Sequence, residues 1–328
     1  MIKFKIKVQQ KLTEPFSKHQ LQRFRKKICS SLFQLSINNV PLPCLLTMAS
    51  NFMEVRFEHS PKEVSQMNTA DLRASFLAPG LMQDDTIQLL YTHYDRVILG
   101  GAKPVHQKVK LETHSELKAD FFLERRELGI INVGGKGIIS VDGTTYDLNK
   151  LDCLYVGKGN KEVIFESADH STPALFYLLS SPAHQTYPTS LLTGAEANPT
   201  EMGAKLTANE RTIYKYIYAD GIKSCQLVMG LTILKEGSVW NTMPAHTHSR
   251  RMEAYFYFDV AENQRVVHFM GQPSETRHLL IANHEAIVSP PWSIHSGCGT
   301  SNYAFIWGMA GENYTYSDMD AVDIRDLR

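Results

Sequence analysis

The chain has 328 residues, 43% hydrophobic and 21% charged, the composition of a soluble globular protein. Its 34 Lys and Arg balance 34 Asp and Glu, and no apolar run approaches the roughly 20 residues of a membrane span, so neither a nucleic-acid nor a membrane partner is indicated. The five cysteines (Cys29, Cys44, Cys153, Cys225 and Cys298) are odd in number, widely spaced and lack a CxxC pair, which points to a reducing, cytoplasmic setting and against a disulfide framework or a thiolate zinc site.

Residues 1–47 stand apart. They hold nine Lys or Arg and one acid, Glu14, which leaves the other 281 residues with a net charge of −8. Ser30, Ser31, Gln34, Ser36, Asn38 and Asn39 break the apolar core that a signal peptide needs. The segment is expected to be a basic leader, disordered or lying upstream of a true start at Met48 or Met53, with organelle targeting as the alternative.

From Arg56 onward the chain reads as β-rich, with "NTADLRASF" a helical exception. Between Glu127 and Phe165, short Val, Ile, Tyr and Phe runs are split by Gly-Gly, Asp-Gly, Asn-Lys and Lys-Gly turns at intervals of roughly ten residues, the spacing of antiparallel hairpins. Asp142-Gly143 in "SVDGTTY" suits a type I′ turn. A second β block starts near Thr212 and repeats the plan: "EVIFES…ALFYLL" parallels "EAIVSP…YAFIWG". The expectation is an all-β chain of two tandem jelly-roll-type barrels with few short helices. The first spans 48–200, the second 201–328, and a polar linker runs from Thr193 to Glu210.

The chemistry-bearing residues lie in the second block. In "PAHTHSRRMEAYFYF", His246 and His248 share a face if extended, because strand side chains alternate. Arg250 joins them if the strand continues, and Arg251 then faces away. Glu253 breaks the parity, so a turn must intervene; Tyr255 and Tyr257 share its face. A loop after Pro290 and Pro291 brings His295 to the same point. Three imidazoles and one carboxylate suit Zn, Mn, Fe or Ni. His268, His278 and His284 show no matching pattern and read as structural or surface residues. The first block offers only His106, so it reads as metal-free.

These strings resemble a known family. HxH(x)4E with a distant His is similar to the metal motif of the cupin superfamily, although Val260 and Trp292 stand where cupins carry glycines. "DFFLERRELGIINVGGKG", "LYVGKGNKEV", "VWNTMPAHTHSRRMEAYFYF", "MGQPSETRH", "SPPWSIHSG" and "FIWGMAGEN" resemble the bacterial 5-dehydro-4-deoxy-D-glucuronate isomerases, from about Phe52 to Arg328. The resemblance implies a bicupin fold, one zinc ion per chain on His246, His248, Glu253 and His295, and a homo-oligomer, a hexamer. It also implies a small-molecule uronate substrate from pectin or related polymers. The implied reaction is aldose–ketose isomerisation, converting 5-dehydro-4-deoxy-D-glucuronate to 3-deoxy-D-glycero-2,5-hexodiulosonate. A metal-bound hydroxide, Tyr255, Tyr257 and Glu312 are the candidates for moving the proton. Arg250 is the candidate for fixing the substrate carboxylate, with Arg125 and Arg126 as remoter options, and Trp292 is expected to wall the pocket. The competing class for such a ligand set is an iron or manganese dioxygenase.

Overall fold

The computed structural model describes residues 52–197, 199–312, 314–316 and 318–328; the reading of residues 1–47 lies outside them. Local signals account for the first elements. Ser60 and Glu63 cap each other's backbone at the start of the helix Pro61–Val64, and Asn68 accepts from Ala70 and Asp71 at the start of the expected helix Thr69–Phe76. Asp142 and Gly143 both have positive φ, 46° and 84°, as a type I′ turn requires, and they join the strands Gly137–Val141 and Thr144–Leu148.

The rest is almost entirely antiparallel sheet. Each half contributes one seven-stranded and one four-stranded sheet. In the second half the larger sheet runs, in spatial order, Thr200–Met202, Arg211–Ile217, Val228–Leu234, Ala304–Gly311, Arg251–Phe258, Ala286–Ser289 and Leu77–Ala78. Its smaller partner is Trp240–Asn241, Ser296–Gly299, Val266–Gln272 and Glu275–Ile281. No sheet closes on itself among the described residues. Several edge strands are only two or three residues long, too short to carry a hydrogen-bond ladder across to the facing sheet.

The expected linker is itself structured: Thr200–Met202 pairs with Arg211–Ile217. Leu77–Ala78 crosses the other way and pairs with Ala286 and Ile287, so the second sheet takes a strand from the first 200 residues. One core cluster lies within the first half, around Ile130, Ile139, Phe165 and Phe176. A larger one fills the second half and reaches the first, where Tyr177 stacks on Phe256 with ring centroids 4.6 Å apart. Cys153, Cys225 and Cys298 are free thiols, and no helix among the described residues is long and apolar enough to cross a membrane.

Candidate metal centre

His246 sits on a two-residue strand, His246–Thr247, paired with Asp320–Ala321. The chain then turns at Ser249 and Arg250 and re-enters the large sheet at Arg251. That turn resets the alternation, so Arg251, Glu253, Tyr255 and Tyr257 point to one side and Met252, Ala254, Phe256 and Phe258 to the other. His295 arrives from the loop between Ala286–Ser289 and Ser296–Gly299. The loop is pinned to Gly271: Ile294 N donates to its carbonyl at 2.9 Å, and its N–H donates to Ser293 Oγ at 2.9 Å.

The four side chains converge. One ligand atom from each of His246, His248, Glu253 and His295 lies within 4.8 Å of the others, and among the described residues this is the one such group of three or more His, Cys, Asp or Glu. Glu253 Oε2 lies 2.9 Å from both His248 Nε2 and His295 Nε2, and His295 Nε2 lies 3.0 Å from His246 Nε2. His248, Glu253 and His295 are buried and His246 is half-buried. His248 Nδ1 is 2.9 Å from the Arg251 carbonyl, which can only accept, so Nδ1 carries a proton and Nε2, which faces Glu253, is the nitrogen that can ligate a metal once it has lost its own.

The electrostatics agree with a cation site. Burial pushes the His246 ring down to about 3, helped by His295, so it stays neutral. Burial also works against a charged His248, but the Glu253 carboxylate outweighs it and raises that ring above its ordinary value. Burial opposes ionisation of Glu253, yet His295 and His248 hold it well below the carboxylate range. An ionised carboxylate and imidazole lone pairs aimed at one buried point are the donor set a divalent ion takes, and His246 and His295, whose Nε2 atoms face each other at 3.0 Å, need a shared cation or proton between them.

A cavity of about 420 Å³ opens on this cluster, with His246, Glu253, Tyr255, Arg251 and Trp307 in its wall. Tyr255 is therefore where its strand parity puts it. Arg250 and Glu312 are not: they pair with each other at 2.8 Å on the surface, 65% and 74% exposed, outside the cavity. The expected Arg250 placement fails because the turn ends the strand phase of His246 and His248 one residue before it. Arg251 takes the inward place, 1% exposed, its Nε and Nη2 forked on Asp318 at 2.9 and 2.8 Å and its Nη1 against Met309 Sδ. Tyr257 is buried, its hydroxyl 2.7 Å from His268 Nδ1. Trp292 lines two other pockets, near Pro61 and Glu58, rather than this cavity, and Arg125 and Arg126 line a further one beside Tyr91. Arg211, Lys215 and Trp307 are among the cavity residues that the sequence did not single out. The alternation in "RTIYK" puts Arg211 and Lys215 on one face, but not which face meets the cavity.

The sequence profile of the KduI/IolB family matches residues 76–324. The chain belongs to the KduI/IolB family. Its relatives include the 4-deoxy-L-threo-5-hexosulose-uronate ketol-isomerase of Shouchella clausii (strain KSM-K16), 56% identical over 276 residues, 84% of this chain and 100% of that one. The protein of the same name from Formosa agariphila is 58% identical over 275 residues, 84% and 98% of the two chains, and that from Dickeya dadantii (strain 3937) is 51% identical over 278 residues, 84% and 100%. An IolB-like protein from Salmonella typhimurium LT2 matches the fold with a TM-score of 0.61 at 12% identity, over 76% of this chain and 97% of that one. The family match spans all four converging residues as well as Arg211 and Lys215.

Proposed function

We propose that this chain is a ketol-isomerase that converts 4-deoxy-L-threo-5-hexosulose uronate to 3-deoxy-D-glycero-2,5-hexodiulosonate, an intramolecular oxidoreductase of uronate catabolism. Relatives bearing that isomerase name cover nearly their whole length with it. The observation that carries the reading is the buried cluster of His246, His248, Glu253 and His295 at the wall of a cavity large enough for a monosaccharide.

Those four residues would hold one zinc ion, a donor set of three nitrogens and one oxygen that suits it. Bound there, the ion supplies a Lewis acid for the oxygen that gains charge as carbon loses its proton. Tyr255 presents its hydroxyl to the same cavity, with Thr242 Oγ1 at 3.0 Å. Burial, reinforced by Glu253, holds the phenol well above its ordinary value, so it stays protonated and donates a hydrogen bond to a developing oxyanion. Phe305, Trp307 and Met309 give the cavity an apolar wall that limits water around the reacting carbons. Arg250 and Glu312, out at the surface, take no part in this reading.

The two halves, each with a seven- and a four-stranded sheet, support tandem cupin-type barrels with the metal in the second alone. The family resemblance supports a cytoplasmic homo-hexamer acting in pectin breakdown. The test is metal analysis together with an NMR assay on the ketoaldehyde. One zinc per chain, oxygen-independent conversion and a product of unchanged mass are expected. Glu253→Ala or His248→Ala that removed zinc and left full isomerisation would sink the metal's role.

A further inference from the structure

The cavity holds more positive charge than its own acids neutralise. Glu253 is its one carboxylate, and three cations line it: Arg211, Lys215 and Arg251. Arg251 is committed, with Nε and Nη2 on Asp318 and Nη1 on Met309. Arg211 and Lys215 have no carboxylate partner among the described residues. Arg211 Nη1 donates to the Asn209 carbonyl at 2.9 Å, and its remaining N–H groups are free among the described residues. Lys215 Nζ lies 5.4 Å from the Tyr316 ring centroid, over its face. Both are half-buried, and burial lowers Arg211 from its ordinary value.

Their placement is set by the sheet. Arg211, Ile213 and Lys215 alternate onto the cavity face of one strand. Lys215, Gly230, Trp307 and Tyr255 are successive partners across four strands, so Lys215 shares a row with the residue beside the metal cluster. Gly230 makes room in that row for the Trp307 ring, which packs over its backbone as the cavity wall: a Cβ there would sit 2.3 Å from the ring. A six-carbon acid whose carbonyl end lies at the His246–Glu253 wall therefore runs its other end toward the strand Arg211–Ile217.

We infer that Arg211 and Lys215 receive the substrate's carboxylate and select an acid sugar over a neutral one. The inference rests on the isomerase reading above for its substrate, but not for its binding test. Arg211→Met and Lys215→Met should each raise KM about tenfold or more, the effect of losing a charge-assisted contact to a carboxylate, with zinc content and melting temperature unchanged. Arg211→Lys and Lys215→Arg, which keep the charge, should stay within a few-fold of wild type, and Arg250→Met should not change KM. Calorimetry with D-galacturonate and D-galactose is the second arm: wild type should prefer the acid, and the Arg211→Met/Lys215→Met double variant should lose that preference. Isomerisation with KM unmoved in the double variant overturns the inference alone. Acid-selective binding by both cations without isomerisation overturns the isomerase reading alone. Neither isomerisation nor acid preference in wild type overturns both.

Discussion

Glu253 and His248 set how the centre competes with protons. In the ion-free protein the carboxylate holds the His248 ring protonated above its ordinary pH range, and the ring holds the carboxylate ionised below its own. The sign differs for the two. The stability from His248 is complete below its unfolded value near 6.5 and fades as pH rises through the raised folded value; that from Glu253 is complete above its unfolded value near 4.3 and fades as pH falls through the lowered one. Zinc needs His248 without its proton, so metal binding must expel it. His246, neutral down to about 3, releases none in the working range. Zinc affinity should therefore rise about tenfold per pH unit from near pH 5.5 and level off once pH passes the raised His248 value. A chelator-competition titration across pH 5.5–8 checks this, and an affinity flat below neutrality would refute it. In Glu253→Gln the plateau should begin at lower pH, because the ring has lost the partner that keeps its proton.

The element that decides the site is the turn at Ser249 and Arg250, because it sets the phase of the strand Arg251–Phe258. Two adjacent arginines thereby acquire opposite environments. Arg251→Met leaves Asp318 half-buried without its fork and should cost about 3–5 kcal/mol, read as a lowered melting temperature. Arg250→Met removes an exposed pair and should cost under about 1 kcal/mol with kcat unchanged. Equal losses for the two would contradict the phase described. His246, His248 and Glu253 were legible in the sequence because spacing and alternation are local, and His295 because its proline-led loop stands out. The hairpin at Asp142-Gly143 was legible for the same reason: two residues carry all of its backbone demand. The arginine phase was not, since nothing in "HSRRME" states how many residues a turn consumes. Nor were Arg211 and Lys215 as cavity cations, because alternation names a face and only the packed sheets say what that face meets.

At the scale of the whole molecule, two carboxylates of the first half anchor the strands that build the cavity in the second. Asp95 Oδ2 accepts the Met252 N–H at 2.6 Å, between Arg251 and Glu253. Glu127, 0% exposed, accepts from Cys225 N at 2.7 Å, Gln226 N at 3.0 Å and Leu227 N at 2.9 Å, as well as from Tyr155 and Ser181. Leu227 leads directly into Val228–Leu234, the strand beside Lys215. With Leu77–Ala78 completing the second sheet and Tyr177 stacked on Phe256, neither half presents a finished surface without the other. The halves should thus unfold together. Glu127→Leu orphans five donors, at about 1–3 kcal/mol for each that stays buried, so a loss of several kcal/mol is expected even after water satisfies some of them. For a chain of this size that lowers the melting temperature by on the order of 10 °C. Calorimetry should show one transition, displaced downward and still single. Two separated transitions, in wild type or in Glu127→Leu, would mean that the first half is a passenger, and that the cavity is held by the second half alone.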